Sequence, residues 1–262
     1  MSVRVRDGMT PSRSGDLTKP ADWNSAWQRS RERPVSQVAG QNALLDAFFG
    51  AALAHHPAPL DIMEVGCAPG RQLVRMARYA PQHHYSGLDF AADGLEITRT
   101  RLAGQTIEAS LHLADARTFD PPQLYDLVVS YGLVEHFDDP RDITTHHVRL
   151  AKPSGIVGVM VPNYAHPFVR RALAVYSPNT LETHNLGVMS EDYLGNLLDA
   201  VGLVDVAVGG YGSSLLPTGR IARGPRGFVW RAMAKAWNMT FERVPRRLSP
   251  WFGFLWACGR RP

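Results

Sequence analysis

Short apolar runs separated by amphipathic stretches dominate the chain from about residue 60 onward. Leu60–Val65, Tyr85–Asp89, Leu111–Asp115, Asp126–Ser130, Ile156–Val161, Leu203–Val208 and Trp251–Cys258 each read as a strand. DLVVS and GIVGVMV are nearly continuous in apolar character, as strands buried on both faces should be. Helices are expected near residues 70–80, 91–103, 140–151, 166–176 and 190–201. The last has defined ends: Ser190 suits an N-cap, Glu191 and Asp192 favour the positive end of the dipole, and Gly202 can stop it. Such alternation implies an α/β fold, a Rossmann-like three-layer sandwich around a mainly parallel seven-stranded sheet.

Residues 1–20 are polar and read as a mobile leader, and residues 21–262 as a single domain. That domain opens with helices over 21–55. Trp23 and Trp27 stand i,i+4 on one face, and Leu44, Leu45, Phe48, Phe49 and Leu53 have helical spacing. Residues 212–248 form a basic helical insertion. There Trp230, Met233, Trp237, Phe241 and Val244 recur at spacings of 3, 4, 4 and 3, giving one apolar face. Such a face either caps the sheet or lies in a membrane interface.

With 45% apolar and 20% charged residues among 262, the chain can bury a core, and no run is long enough to span a bilayer. Its N-terminus lacks the apolar stretch of a secretory signal. Two cysteines, Cys67 and Cys258, offer no disulfide framework, so a cytoplasmic setting is expected. Charge is uneven. Residues 211–262 hold ten Arg/Lys against one acid, a local +9, leaving 18 basic against 23 acidic residues, or −5, elsewhere. A basic tail suits a solvated rim, or an anionic lipid, nucleic-acid or acidic partner.

The stretch LDIMEVGCAPGRQL, residues 60–73, carries the most chemistry. A strand ends at Glu64 and Val65, and Gly66 and Gly70 permit the close turn that follows. Ligands of open α/β sheets bind outside the carboxyl ends of the strands, where this turn lies. Asp89, 19 residues after Gly70, closes the second strand and can accept from both ribose hydroxyls. Asp115 and Ala116 close the third, suited to an adenine amino group. A dinucleotide fingerprint would want glycine at 66, 68 and 71, where Gly66, Ala68 and Arg71 stand. Glu64 suits a cationic ligand and would oppose a diphosphate.

EVGCAPG, GLDF, LADA, YDLVVSYGLVEHF and LAKPSGIVGVMVPN resemble the successive motifs of class I S-adenosylmethionine-dependent methyltransferases, most of all the small-molecule group that includes the ubiquinone-type O-methyltransferases. This resemblance implies S-adenosylmethionine as cofactor. Gly66, Cys67, Ala68 and Gly70 would pack on its methionine part, Glu64 would organise the amino-acid end, and Asp89 would hold the ribose. Phe90 would flank the adenine, Asp115 and Ala116 would read its edge, and Ser130, Tyr131 and Gly132 would border the methyl group. Cys67 and Ala68 stand where glycine is common, and Ser154 replaces the usual glycine of a KPGG-type turn.

The same resemblance makes residues 163–189 a substrate cover, with Asn163, Tyr164, His166, Tyr176 and His184 lining the acceptor pocket; a surface helix and loop is the competing reading. WNSAW resembles a feature of thiopurine methyltransferases, which makes Trp23 and Trp27 a lid over the donor that also touches substrate; packing onto the core is the competing reading. His136, in an E-H pair like that of the ubiquinone-type enzymes, is the candidate base, against a purely loop-shaping role. Glu135, His136, Asp138 and Asp139 lack ligand-type spacing, so no metal is expected.

The acceptor is expected to be a small-molecule metabolite of biosynthesis, methylated on oxygen or nitrogen by a monomer or homodimer. A lipid or quinone acceptor, with membrane association through the basic insertion, is the alternative. Nucleic acid is not expected: amino-group base methylases carry a D/N/S-P-P-Y/F run where Ser130-Tyr131-Gly132-Leu133 stands.

Overall fold

A computed structural model describes residues 16–30, 58–176, 178–211, 224–241 and 253–262. The strands β1 (Asp61–Val65), β2 (His84–Asp89), β3 (Ser110–Leu113), β4 (Tyr125–Tyr131), β5 (Ala151–Pro162), β6 (Val204–Tyr211) and β7 (Phe254–Arg260) form one sheet in the order β3-β2-β1-β4-β5-β7-β6. β7 alone runs against its neighbours β5 and β6, so the sheet is mainly parallel, as expected. The helices of the described residues are α1 (Pro20–Ser30), α2 (Arg71–Tyr79), α3 (Ala92–Ala103), α4 (Arg141–Leu150), α5 (Pro167–Tyr176), α6 (Pro178–Glu182), α7 (Glu191–Ala200) and α8 (Pro225–Phe241). The part of the expected 21–55 helices that follows Ser30 lies outside the described residues.

Central strands are buried on both faces: Ile62, Met63, Val128, Val129, Val157, Val159 and Val161 are all sealed from solvent. Apolar burial of this kind supplies most of the driving force for folding. Lys152 ties the amino ends of β1 and β4 together, its Nζ lying 2.9 Å from Asp61 Oδ2 and 2.8 Å from Asp126 Oδ2. Local signals held at α7, where Ser190 accepts the Tyr193 N–H at 3.1 Å and Gly202 takes φ +84 just past the helix. Ser154 adopts φ +63, the left-handed conformation for which glycine is the usual choice.

Three expectations shift. β3 stops at Leu113, so Asp115 lies two residues beyond the strand, in a turn closed by the Thr118 N–H on Asp115 O at 3.0 Å. Residues 16–19, the end of the supposed leader, lie against the fold: Asp16 bridges to Phe137, and the Leu17 N–H donates to His136 O at 3.0 Å. In α8 the buried row is Trp230 and Ala234, packed on Val169 and Leu173 of α5, while Met233 is exposed. Trp230 and Ala234 are one helical turn apart, whereas Met233 is rotated by about 100° from Ala234.

Candidate active site

Two groups of residues gather beyond the carboxyl ends of β1, β2 and β4. The first is a cradle at the turn after β1. Gly66 and Gly70 take φ +72 and +78, which strongly favour glycine. A Cβ on Gly70 would stand 2.7 Å from Thr98 Cγ2, so the start of α2 sits directly on α3. Glu64 is 2% exposed, and its Oε2 has no hydrogen-bond partner. Burial, and then the nearby Asp89 charge, push its carboxyl well above the usual carboxylate range.

Asp89 is anchored through both oxygens. Oδ2 accepts the Ala68 N–H at 2.9 Å and Oδ1 accepts the Ala91 N–H at 2.8 Å. Burial nonetheless raises this carboxyl to about 6. Each oxygen keeps a lone pair for another donor, an arrangement that suits two neighbouring hydroxyls. An orphaned buried acid beside it calls for a cation. The cradle therefore fits a positively charged nucleoside and opposes a diphosphate.

Other cradle residues take different places. Cys67 turns its thiol into the sheet: a Cβ on Gly87 of β2 would stand 2.7 Å from its Sγ. Asp115 is held by Arg117, whose Nη2 lies 2.7 Å from Oδ2 and whose Nη1 reaches Asp16 at 3.0 Å. Its carboxylate is thus already engaged by a cation. Tyr131 points toward α2, its hydroxyl 3.8 Å from Met76 Sδ, while the buried Ser130 Oγ has no partner. Gly132 is left-handed at φ +66, Phe90 is half-buried just past β2, and Ala116 is half-buried in the turn beyond β3. Sequence reasoning overlooked Arg71. Opening α2, it has a buried Nε without a partner, and burial lowers the guanidinium's proton affinity. Such a group is suited to receive a carboxylate.

The second group surrounds the 3₁₀ turn Val134–His136. His136 is buried, and its Nδ1 lies 2.7 Å from Thr183 O. A carbonyl can only accept, so Nδ1 carries a hydrogen, and in the neutral imidazole the lone pair is on Nε2. Thr183 Oγ1 donates to Asn179 O at 2.8 Å, so His184 Nδ1, at 3.1 Å, must donate to that oxygen. Both imidazoles therefore share one tautomer, with rings 4.4 Å apart. Tyr164 packs edge-on to His184 at 5.4 Å, and Trp23 edge-on to His136 at 4.9 Å. Glu135 is 1% exposed, its Oε2 has no partner, and burial raises its carboxyl to about 8.

Trp27 stacks on Trp23 at 5.6 Å and presses on the cradle: a Cβ on Gly94 would stand 2.7 Å from Trp27 Cδ1 and 2.6 Å from Ala68 Cβ. Helix α1 thus bridges the two groups. Arg117 fastens the start of that segment through Asp16. Asn185 was also overlooked. Its side-chain amide donates to Phe137 O at 3.1 Å and Asp138 O at 3.0 Å, and its N–H donates to Glu135 O at 2.7 Å. It staples the 183–188 stretch to the histidine turn.

His166 is placed differently, its Nδ1 accepting the Phe168 N–H at 3.3 Å at the start of α5. Asn163 gives its N–H to Gly253 O at 2.9 Å. Ligand-type atoms of Glu135, His136 and His184 lie within 4.8 Å of one another. Asp139, in contrast, is exposed and paired with Arg141 at 2.8 Å, so the quartet weighed from sequence does not assemble.

A family model described as a methyltransferase domain matches residues 37–208. The chain belongs to that family. Among curated members, the methyltransferase domain here is 28% identical over 165 residues to a trans-aconitate 2-methyltransferase of Methylobacterium radiotolerans, covering 60% of this chain and 57% of that one. It is 30% identical over 98 residues to a ubiquinone biosynthesis O-methyltransferase of Pectobacterium carotovorum, covering 37% and 40% respectively. The match therefore spans about half the length of the curated relatives. Among solved structures, the Haemonchus contortus phosphoethanolamine N-methyltransferase 2 complexed with S-adenosylhomocysteine superposes at TM-score 0.58 with 13% identity, over 86% of this chain and 53% of that one. The cyclase SpnF superposes at 0.61 with 13% identity, over 96% and 98%. These likenesses establish the fold.

Proposed function

We propose that this chain transfers a methyl group from S-adenosylmethionine to an oxygen or nitrogen of a small-molecule metabolite, as a cytoplasmic enzyme of biosynthesis. The observation that carries the reading is the pair of buried acids, Glu64 with an orphaned oxygen and Asp89 anchored through both, on either side of the glycine turn. Bound there, S-adenosylmethionine would supply an electrophilic methyl on a sulfonium, open to in-line attack.

Glu64 binds the donor's ammonium, Arg71 its carboxylate, and Asp89 its ribose hydroxyls. Trp23 and Trp27 cover the donor loop and exclude water, which also strengthens the electrostatics beneath them. The acceptor occupies the space beside His136, His184 and Tyr164, where His136 Nε2 takes the proton of an attacking hydroxyl, or frees the lone pair of an ammonium by taking its proton before the nitrogen attacks. Glu135, held protonated by burial, adds no negative charge to the same cluster. No metal enters this reading. Most of the rate comes from holding donor and acceptor in line.

The test is calorimetry of the purified chain with S-adenosylmethionine and S-adenosylhomocysteine, followed by incubation with methyl-labelled donor and extract of the source organism. Saturable heat and one labelled small product are expected. Absence of heat with both ligands would overturn the cofactor assignment, and label confined to RNA or protein would overturn the acceptor class.

A further inference from the structure

The outer surface of α8 is the wrong way out for a helix that merely caps a core. Its inner row, Trp230 and Ala234, is buried, yet the opposite face is apolar as well: Phe228 is 68% exposed, and Val229, Met233 and Met239 are also turned to solvent. A helix with apolar side chains on two opposite faces is normally covered on both. Arg231 and Lys235 are exposed on the same helix. Neighbouring α5 repeats the pattern: Phe168 stacks on Trp237 at 4.7 Å, Val175 is 69% exposed, and Arg170 and Arg171 stand in solvent. Neither helix contains a single Asp or Glu.

We infer that the outer faces of α5 and α8 dock on an anionic lipid surface. Exposed rings and aliphatic side chains interleaved with cations, with no acid, match the apolar boundary and negative headgroups of a bilayer. Charge decides against a second copy as the occupant, since pairing these faces would oppose two sets of cations. Among the described residues no helix is long and apolar enough to cross a membrane, so the contact is one of lying on the surface. On their inner faces the same helices reach the acceptor side: Tyr164 packs on the cluster of Val169, Leu173, Trp230 and Ala234 and faces His184. Docking would seat the acceptor region one layer of side chains from the membrane.

The test is flotation of the full chain with vesicles of phosphatidylcholine alone and of phosphatidylcholine mixed with phosphatidylglycerol. Binding to the mixed vesicles only, weakened by salt, is expected. Phe228→Ser with Val229→Ser, and separately Arg231→Glu with Lys235→Glu, should each lower vesicle affinity by about tenfold or more while leaving S-adenosylmethionine heat unchanged. No flotation with either vesicle, equal binding to both, or wild-type affinity in both double variants would overturn the inference. So would a dimer in sedimentation that Phe228→Ser dissolves while vesicle binding persists unaltered.

Discussion

The cradle around Glu64 and Asp89 and the cluster around His136 and His184 lie side by side, yet they are held by different means. In the cradle, each functional group sits at or next to a strand end, and its partners are the first residues of the adjoining turn: Asp89 is fixed by Ala68 and Ala91. The cluster draws on Thr183, Asn185, Tyr164 and Trp23, which come from three separate stretches of chain. Strand ends are positioned by the buried sheet and tolerate little drift. Loops stapled by a few hydrogen bonds can be re-aimed, which allows one donor site to serve many acceptors. The curated relatives act on different acceptors, consistent with that division.

Removing the proposed proton acceptor should separate the two regions most sharply. His136→Ala is expected to lower kcat on the identified acceptor by roughly 10²- to 10³-fold while leaving donor affinity unchanged, as read by steady-state kinetics and calorimetry. The converse variant, Asp89→Ala, removes two charge-assisted hydrogen bonds and should weaken S-adenosylmethionine binding by about 100-fold. Unchanged affinity would mean that the ribose lies elsewhere.

A smaller effect should come from the staple. Asn185→Ala leaves the Phe137 and Asp138 carbonyls beside the histidine turn without their side-chain partner and should lower kcat by about tenfold, with donor affinity retained. Arg117→Met, which frees Asp16, should instead weaken both donor and acceptor binding, because α1 touches both regions.

Glu135 supplies a pH test. Its carboxyl is raised from an ordinary 4.5 to about 8, so the folded chain keeps a proton that the unfolded chain releases between those values. Its contribution to stability is therefore complete below about 4.5 and disappears as pH climbs through 8, at about 1.4 kcal/mol for each pH unit separating the two values. The urea midpoint of the ligand-free protein should fall over this window, and Glu135→Gln should make the fall shallower, leaving the part that Glu64 and Asp89 contribute. The smallest effect is expected from EDTA. Turnover should be unchanged, and a loss restored by zinc would turn the histidine cluster into a metal centre.

Much of the cradle was legible because strand, turn and helix follow one another within LDIMEVGCAPGRQL, and local sterics restrict what Gly66 and Gly70 can do. Arg71 escaped notice because an arginine opening a helix carries no signal until its burial is known. The fate of Asp115 was equally hidden, since its partner Arg117 draws meaning from Asp16, 101 residues away. His166 and His184 looked alike in sequence, and the fold gave one to a helix start and the other to the cluster.

By itself the sequence determined the alternation of strands and helices, the two-faced burial of the central sheet, the acids at the ends of β1 and β2, and the ends of α7. Those features depend on hydrophobic periodicity and near-neighbour hydrogen bonds, which act within a few residues. The tertiary structure alone decided that His136 meets His184, that Trp27 presses on the glycine turn after β1, and that α8 turns an apolar face outward. Each of these depends on which distant surfaces exclude water together, and burial is a property of the assembled whole.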